Sequence, residues 1–283
     1  MDTRQLRQPG SGIKLIICDM DGTLLNSGHR ISKRSLKAFD EARKAGIRIT
    51  ICSGRIYPML EAYVKELDIK EPVITANGAA LVDPSSRSVL WSCPLPGEDA
   101  LKLMEYCKAN HMDYSALGME RCFFSGNSIR IKKFQEYNRI ASQAGLPGMD
   151  LLFFDENHNC ISSMDVLKIL IHELSPGDLE GARAFIQNNT NLQFTSSEST
   201  LLDVSARGVD KGLGVRKLAE MLNLHKSQIC VFGDYLNDLP MFREAGFPIA
   251  MGNSSRELKK AAAHITCTND EDGVAAAIEK YIL

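Results

Sequence analysis

The chain has 283 residues, with 33 Lys+Arg against 35 Asp+Glu for a formal net charge of −2. Hydrophobic residues make up 44% and charged residues 24%, a globular balance that excludes disordered, collagen-like and low-complexity classes. A pI near 6.3 supplies no basic footprint for a nucleic acid, and the length suits one large domain or two modest ones.

In chain order, residues 1–12 are polar, carry Pro9-Gly10 and lack the apolar stretch of a signal peptide. Residues 14–18 (KLIIC) form a short continuous apolar run followed by Asp, which predicts a central strand covered on both faces. Ser32 predicts a helix cap, with Leu36, Phe39 and Ala42 on one face and Gly46 at the stop. Residues 47–52 predict a strand, 56–67 a helix and 72–75 a strand. Strands alternating with helices imply βαβ units and a parallel sheet.

From about Asp83 the rhythm breaks, at Asp83-Pro84-Ser85-Ser86 and Pro94-Leu95-Pro96-Gly97. Beyond lie a predicted helix at 129–144, strands at 151–154 and 166–171, and a helix opened by Pro176 that ends near Gln187. Residues 192–195 and 201–204 read as a hairpin. The α/β rhythm then resumes with a helix at 211–222, a strand at 229–232, a short helix at 238–245 and a strand at 248–251. A helix at 256–263, a strand at 264–267 and a helix from Gly273 complete it. The expected architecture is an α/β core of 1–82 and 208–283, with an inserted α+β domain at 83–207. The longest apolar run, 274–278, is far below the ~18 residues that span a bilayer. None of the 8 cysteines forms a Cys-x-x-Cys pair, so Cys18, Cys52 and Cys230, inside apolar runs, are expected as buried small hydrophobes of a reducing cytosol.

The chemistry concentrates at strand ends. Asp19-Met20-Asp21-Gly22-Thr23 follows the first predicted strand, at the carboxyl end of a parallel sheet, where open α/β sheets bind ligands. Alternate residues leaving a strand point the same way, so Asp19 and Asp21 can address one site. A calcium loop counted from Asp19 fails, because Leu24 and Arg30 stand where Gly and Glu are required. A second acidic cluster, Gly233-Asp234-Tyr235-Leu236-Asn237-Asp238, ends another apolar strand. An aspartate at such a junction is often only a helix cap. Two clusters at parallel strand ends point further. Like charges ~4 Å apart repel by about 4 kcal/mol at an effective dielectric near 20, a cost that a hard cation such as Mg²⁺ removes. Ser53-Gly54-Arg55 offers a hydroxyl and backbone N–H groups where a helix begins, and Lys211 opens another helix.

Together, Asp19-Met20-Asp21-Gly22-Thr23, Ser53-Gly54-Arg55, Lys211 and Gly233-Asp234-x-x-Asn237-Asp238 resemble the ordered motifs of the haloacid dehalogenase (HAD) superfamily. The long insertion and Asn77-Gly78-Ala79 resemble its Cof-like sugar-phosphatase branch, in which 83–207 would be the α/β cap. Two positions depart from the pattern: Ser53 stands where Thr is commoner, and Tyr235 where Gly or Ser is usual.

The resemblance implies a Rossmann-like core and a Mg²⁺-dependent phosphatase of small phosphorylated metabolites, sugar phosphates first among them, in the cytoplasm. It implies Asp19 as nucleophile and Asp21 as the acid and base. Mg²⁺ would be held by the Asp19 carboxylate, the Asp21 backbone carbonyl and Asp234, with Asp238 directly or through water. Ser53, Gly54, Arg55, Asn77, Lys211 and Asn237 would serve the phosphate and substrate. Lys132, Lys133, Arg121 and Arg130 are candidate cap donors. A phosphomannomutase-like phosphomutase and a non-catalytic phosphometabolite binder are the rival readings.

Overall fold

The structure, a computed structural model, describes residues 12–283 apart from 127, 156, 157, 159, 160, 162, 163, 176 and 199. The expectations placed on residues 1–11 and on Pro176, and the residue Cys160, lie outside the described residues.

In chain order the strands and helices are β1 (Leu15–Cys18), α1 (Lys33–Lys44), β2 (Arg48–Ile51), α2 (Glu61–Glu66), β3 (Val73–Thr75), β4 (Ala80–Val82) and β5 (Val89–Ser92). Next come α3 (Gly97–Ala109), β6 (Asp113–Leu117), β7 (Arg121–Phe124), α4 (Ile131–Gln143), β8 (Asp150–Phe153), β9 (Lys168–His172) and α5 (Asp178–Asn189). The hairpin β10 (Leu192–Glu198) and β11 (Leu201–Ala206) leads to α6 (Lys211–Met221) and β12 (Ile229–Gly233). The chain closes with α7 (Leu239–Arg243), β13 (Phe247–Ala250), α8 (Arg256–Ala261), β14 (His264–Ile265) and α9 (Gly273–Ala277). It divides into two compact units, one running to Cys52 and resuming at Val215–Leu283, the other Ser53–Gly214.

The first unit is built on a wholly parallel sheet ordered β14-β13-β12-β1-β2. All four residues of β1 are buried, as a strand covered on both faces requires. Its register sets Cys18 beside both Phe232 and Ile51, so β1 and β2 end level and β12 runs one residue further. The Ser32 hydroxyl caps α1 by accepting the Ser35 N–H at 3.0 Å. Gly46 stops the helix with φ +81°, its N–H donating to Arg43 O while Ile47 N–H donates to Ala42 O. As expected, the two ends of the chain share one parallel sheet. Cys18, Cys52 and Cys230 are buried free thiols, and burial pushes the Cys18 and Cys230 thiols well up.

The second unit holds a three-stranded antiparallel sheet, β3-β4-β5, and a six-stranded sheet ordered β10-β11-β9-β6-β7-β8. Every pair in the larger sheet is antiparallel except β7 with β8. Alternation along the strands gives it two faces. Tyr114, Ala116, Ile169, Ile171, Leu202 and Val204 pack with Leu103, Met104 and Cys107 of α3 and Ile186 of α5. On the other face Leu117, Phe124, Leu170 and Leu201 pack with Phe134 of α4.

Three expectations change. Residues 72–75 contain β3, which pairs antiparallel with β4 rather than extending a parallel series. The expected helix at 56–67 is a 3₁₀ turn, Tyr57–Met59, with Pro58 in its first turn, followed after Leu60 (φ −101°, ψ −21°) by the short α2. Pro94-Leu95-Pro96-Gly97, read as a turn, leads straight into α3, which opens at Gly97. Among the described residues no helix is long and apolar enough to cross a membrane.

Candidate active site

In the first unit, Asp19 and Asp234 each stand one residue past the end of a strand, on the adjacent parallel strands β1 and β12. Asp238 closes the 3₁₀ turn Leu236–Asp238 that follows β12. Carboxylate oxygens of Asp19, Asp234 and Asp238 lie within 4.8 Å of one another. Asp19 and Asp238 are buried and Asp234 partly so.

Backbone and side-chain donors fix these carboxylates. Asp238 Oδ2 accepts the N–H groups of Asp234 at 2.9 Å and Tyr235 at 3.1 Å. The Thr23 hydroxyl donates to Asp234 Oδ1 at 2.8 Å. Asp19 N–H donates to Phe232 O at 3.0 Å, tying the turn after β1 to β12. Within that turn Gly22 has φ +77°, and a methyl group there would lie 2.4 Å from Asp234 Oδ2. Only glycine fits. Asn253 supports the turn from outside, its Nδ2 donating to Gly22 O at 2.7 Å.

The Asp21 carboxylate does not join this cluster; about half its side chain is exposed, and its Oδ1 is 3.9 Å from His29 Nδ1. Asn237 is partly buried, and Tyr235 is exposed.

The second unit gathers most of the remaining expected residues around one turn. Ser53, Arg55, Asn77 and Lys211 are all buried. Ser53 N–H donates to Ile74 O and Ser53 O accepts from Asn77 N–H, both at 3.0 Å. Gly54 faces the Asn77 amide so closely that a methyl group would lie 2.9 Å from Asn77 Oδ1. Asn77 adopts φ 56°, ψ 36°, a left-handed conformation that asparagine tolerates better than most residues. Gly78 follows with φ +91°, and a methyl group there would overlap Asp210 O at 2.0 Å and sit 3.2 Å from Lys211 N. Lys211 begins α6, its ammonium-bearing side chain almost wholly buried. The Arg55 guanidinium lies over the rings of Tyr63 (5.4 Å) and Tyr137 (5.1 Å), a cation–π arrangement that packs it.

Two charged residues of this region carried no expectation: Lys168 and Asp203, a buried ion pair whose ammonium also donates to Gly54 O at 2.9 Å. Their signal was present. A lone charge inside an apolar strand, Val166-Leu167-Lys168-Ile169-Leu170 or Leu201-Leu202-Asp203-Val204, requires a buried partner.

The family model for haloacid dehalogenase-like hydrolases matches residues 16–278. The chain belongs to that family. The HAD resemblance carried by the motifs therefore holds over nearly the whole length. Among curated relatives, the Bacillus subtilis 5-amino-6-(5-phospho-D-ribitylamino)uracil phosphatase YcsE is 30% identical, with 96% of each chain covered. Phosphatase YwpJ of the same organism is 28% identical, covering 93% of this chain and 98% of YwpJ. Among solved structures, a haloacid dehalogenase-like hydrolase from Bacteroides thetaiotaomicron superposes with a TM-score of 0.80 at 28% identity, covering 95% of this chain and 99% of the other. The parallel sheet with acidic turns at its carboxyl ends and the separate, largely antiparallel sheet are thus features of a HAD-fold enzyme.

Proposed function

We propose that this HAD-family enzyme is a Mg²⁺-dependent phosphomonoester hydrolase of small phosphorylated metabolites, with sugar phosphates the leading class. The observation that carries the reading is the meeting of Asp19, Asp234 and Asp238, from turns more than two hundred residues apart, within 4.8 Å. An acidic, all-oxygen set suits a hard divalent cation, and Mg²⁺ completes its shell with water and substrate phosphate oxygens. The residues fit in a second way. Asp238 Oδ2 is held by two amides and Asp234 Oδ1 by Thr23, so both carboxylates are fixed in orientation before any ion arrives. Asp19, Asp234 and Asp238 would hold the ion, with the Asp21 carbonyl. When bound, it would offset negative charge on the phosphoryl oxygens.

Asp19 then attacks phosphorus, and the bond from phosphorus to the ester oxygen breaks. Asp21 donates a proton to the departing alcohol, leaving an aspartyl-phosphate on Asp19. Asp21 next takes a proton from water as that water attacks phosphorus, which returns Asp19 as a free carboxylate and releases inorganic phosphate. The Ser53 hydroxyl, the Gly54 N–H and the Lys211 ammonium bind the phosphoryl oxygens, while Asn77, Arg55 and Asn237 border the substrate. The 83–207 insertion selects the leaving group and excludes bulk water. The sugar-phosphate preference is supported by the name of YcsE, whose substrate is a phosphorylated ribityl compound. A cytosolic setting accords with cysteines that are all free among the described residues.

Hydrolysis of p-nitrophenyl phosphate, with Mg²⁺ and with chelator, tests the reading. Release should depend on the metal, and Asp19→Asn should abolish it while leaving the circular dichroism spectrum intact. Near-normal turnover by that variant, or indifference to chelator, ends the proposal. A panel of phosphorylated metabolites then orders the substrates.

A further inference from the structure

Lys168 and Asp203 pair on the adjacent strands β9 and β11, with only 6% and 4% of their side chains exposed. Breaking water's hold on two charges is costly, so a buried ion pair is a poor means of stabilisation by itself. This one reaches beyond itself: the Lys168 ammonium also donates to Gly54 O at 2.9 Å.

The turn it touches is held residue by residue. Ser53 O accepts the Asn77 N–H at 3.0 Å. Arg55 O accepts the Ala76 N–H at 2.8 Å and the Thr75 hydroxyl at 2.5 Å. Gly54 O, between them, is held by a charge. The Gly54 carbonyl and the Arg55 N–H belong to one planar peptide group. At the far side of that plane the Arg55 N–H donates to Ser53 Oγ at 3.2 Å. Lys168 therefore grips one end of the peptide whose other end meets the Ser53 hydroxyl. Pulling on the carbonyl also polarises the N–H, which strengthens its bond to Oγ. With a lone pair so engaged, the Ser53 hydroxyl keeps its own proton to donate.

We propose that Lys168, oriented by Asp203, is a positioning residue for Ser53, aiming its O–H at a phosphoryl oxygen. The inference rests on the phosphatase reading, and the experiment separates the two. Removing Lys168 alone would take the paired cation from the buried Asp203 carboxylate, so the test variant is the uncharged pair Lys168→Met with Asp203→Asn. For p-nitrophenyl phosphate hydrolysis, KM and the inhibition constant of inorganic phosphate should rise ~10- to 100-fold, the range for losing an outer partner of a site group. The Mg²⁺ half-saturation should not move, because the acidic cluster is untouched. Combining the pair with Ser53→Ala should cost little beyond Ser53→Ala alone, since the pair acts through that hydroxyl. If the double variant does not fold, the same cycle is run with Lys168→Arg, which keeps the charge and displaces the donor. Phosphate inhibition within about twofold of wild type, or effects that add in full with Ser53→Ala, overturns the inference. Absence of Mg²⁺-dependent hydrolysis in the wild-type protein overturns the phosphatase reading instead.

Discussion

Thr23 and Asp234, 211 residues apart, meet in a single hydrogen bond of 2.8 Å from hydroxyl to carboxylate. The contact orients the Asp234 carboxylate. Replacing Thr23 by Val keeps the shape and removes this donor, so the carboxylate is held less firmly. The Mg²⁺ concentration for half-maximal activity should rise about tenfold, with a smaller change in KM for substrate. Metal titration of p-nitrophenyl phosphate hydrolysis measures both.

Gly22→Ala should be far more damaging to metal use than its size suggests. The added methyl group would lie 2.4 Å from Asp234 Oδ2, at a backbone φ of +77°. Asp234 must swing away or the turn must move. Either displaces a carboxylate from the cluster, and activity at saturating Mg²⁺ should fall at least about tenfold. A variant with wild-type metal response would show that Asp234 is not a ligand.

Gly78→Ala tests stability. Its methyl group would overlap Asp210 O at 2.0 Å where φ is +91°. Overpacking against backbone, added to left-handed strain, should cost about 3 kcal/mol. Denaturant unfolding followed by tryptophan fluorescence reads it directly.

Acid should weaken the fold through His158. Burial holds its imidazole below the ordinary value of 6.5, and Lys108 pushes the same way, against Asp155 and Glu105. Its Nε2 lies 2.7 Å from the Tyr114 hydroxyl. As pH falls below about 6.5 the unfolded chain binds a proton that the folded chain refuses. This contribution is complete above that pH and is lost as pH drops toward the folded-state value. Melting temperature should decline from pH 7.5 to 5, and His158→Gln should flatten the decline; an unchanged slope refutes the assignment.

The alternating core was legible because β1 and β12 are short apolar runs, each followed directly by Asp. The acidic residues were legible for the same reason, since a strand's end fixes where the next side chain goes. The inserted region was harder. α3 begins at a glycine preceded by proline, which locally resembles a turn, and tertiary packing of Leu103, Met104 and Cys107 makes it a helix. Lys168 and Asp203 each stand out as a lone charge in an apolar strand, but which partner each takes is set only by the pairing of β9 with β11. Thr23 sat inside a recognised motif without a role, because its partner is 211 residues away.

The near-overlap of Gly78 with Asp210 also bears on the route of the inserted segment. The excursion of more than a hundred residues departs beside β4 and comes home at α6 through a doorway one backbone wide. That doorway is closed to any side chain at Gly78, whose methyl group would overlap the Asp210 carbonyl. Its two jambs, Gly78 and Asp210, mark a place where the chain tolerates no added atom.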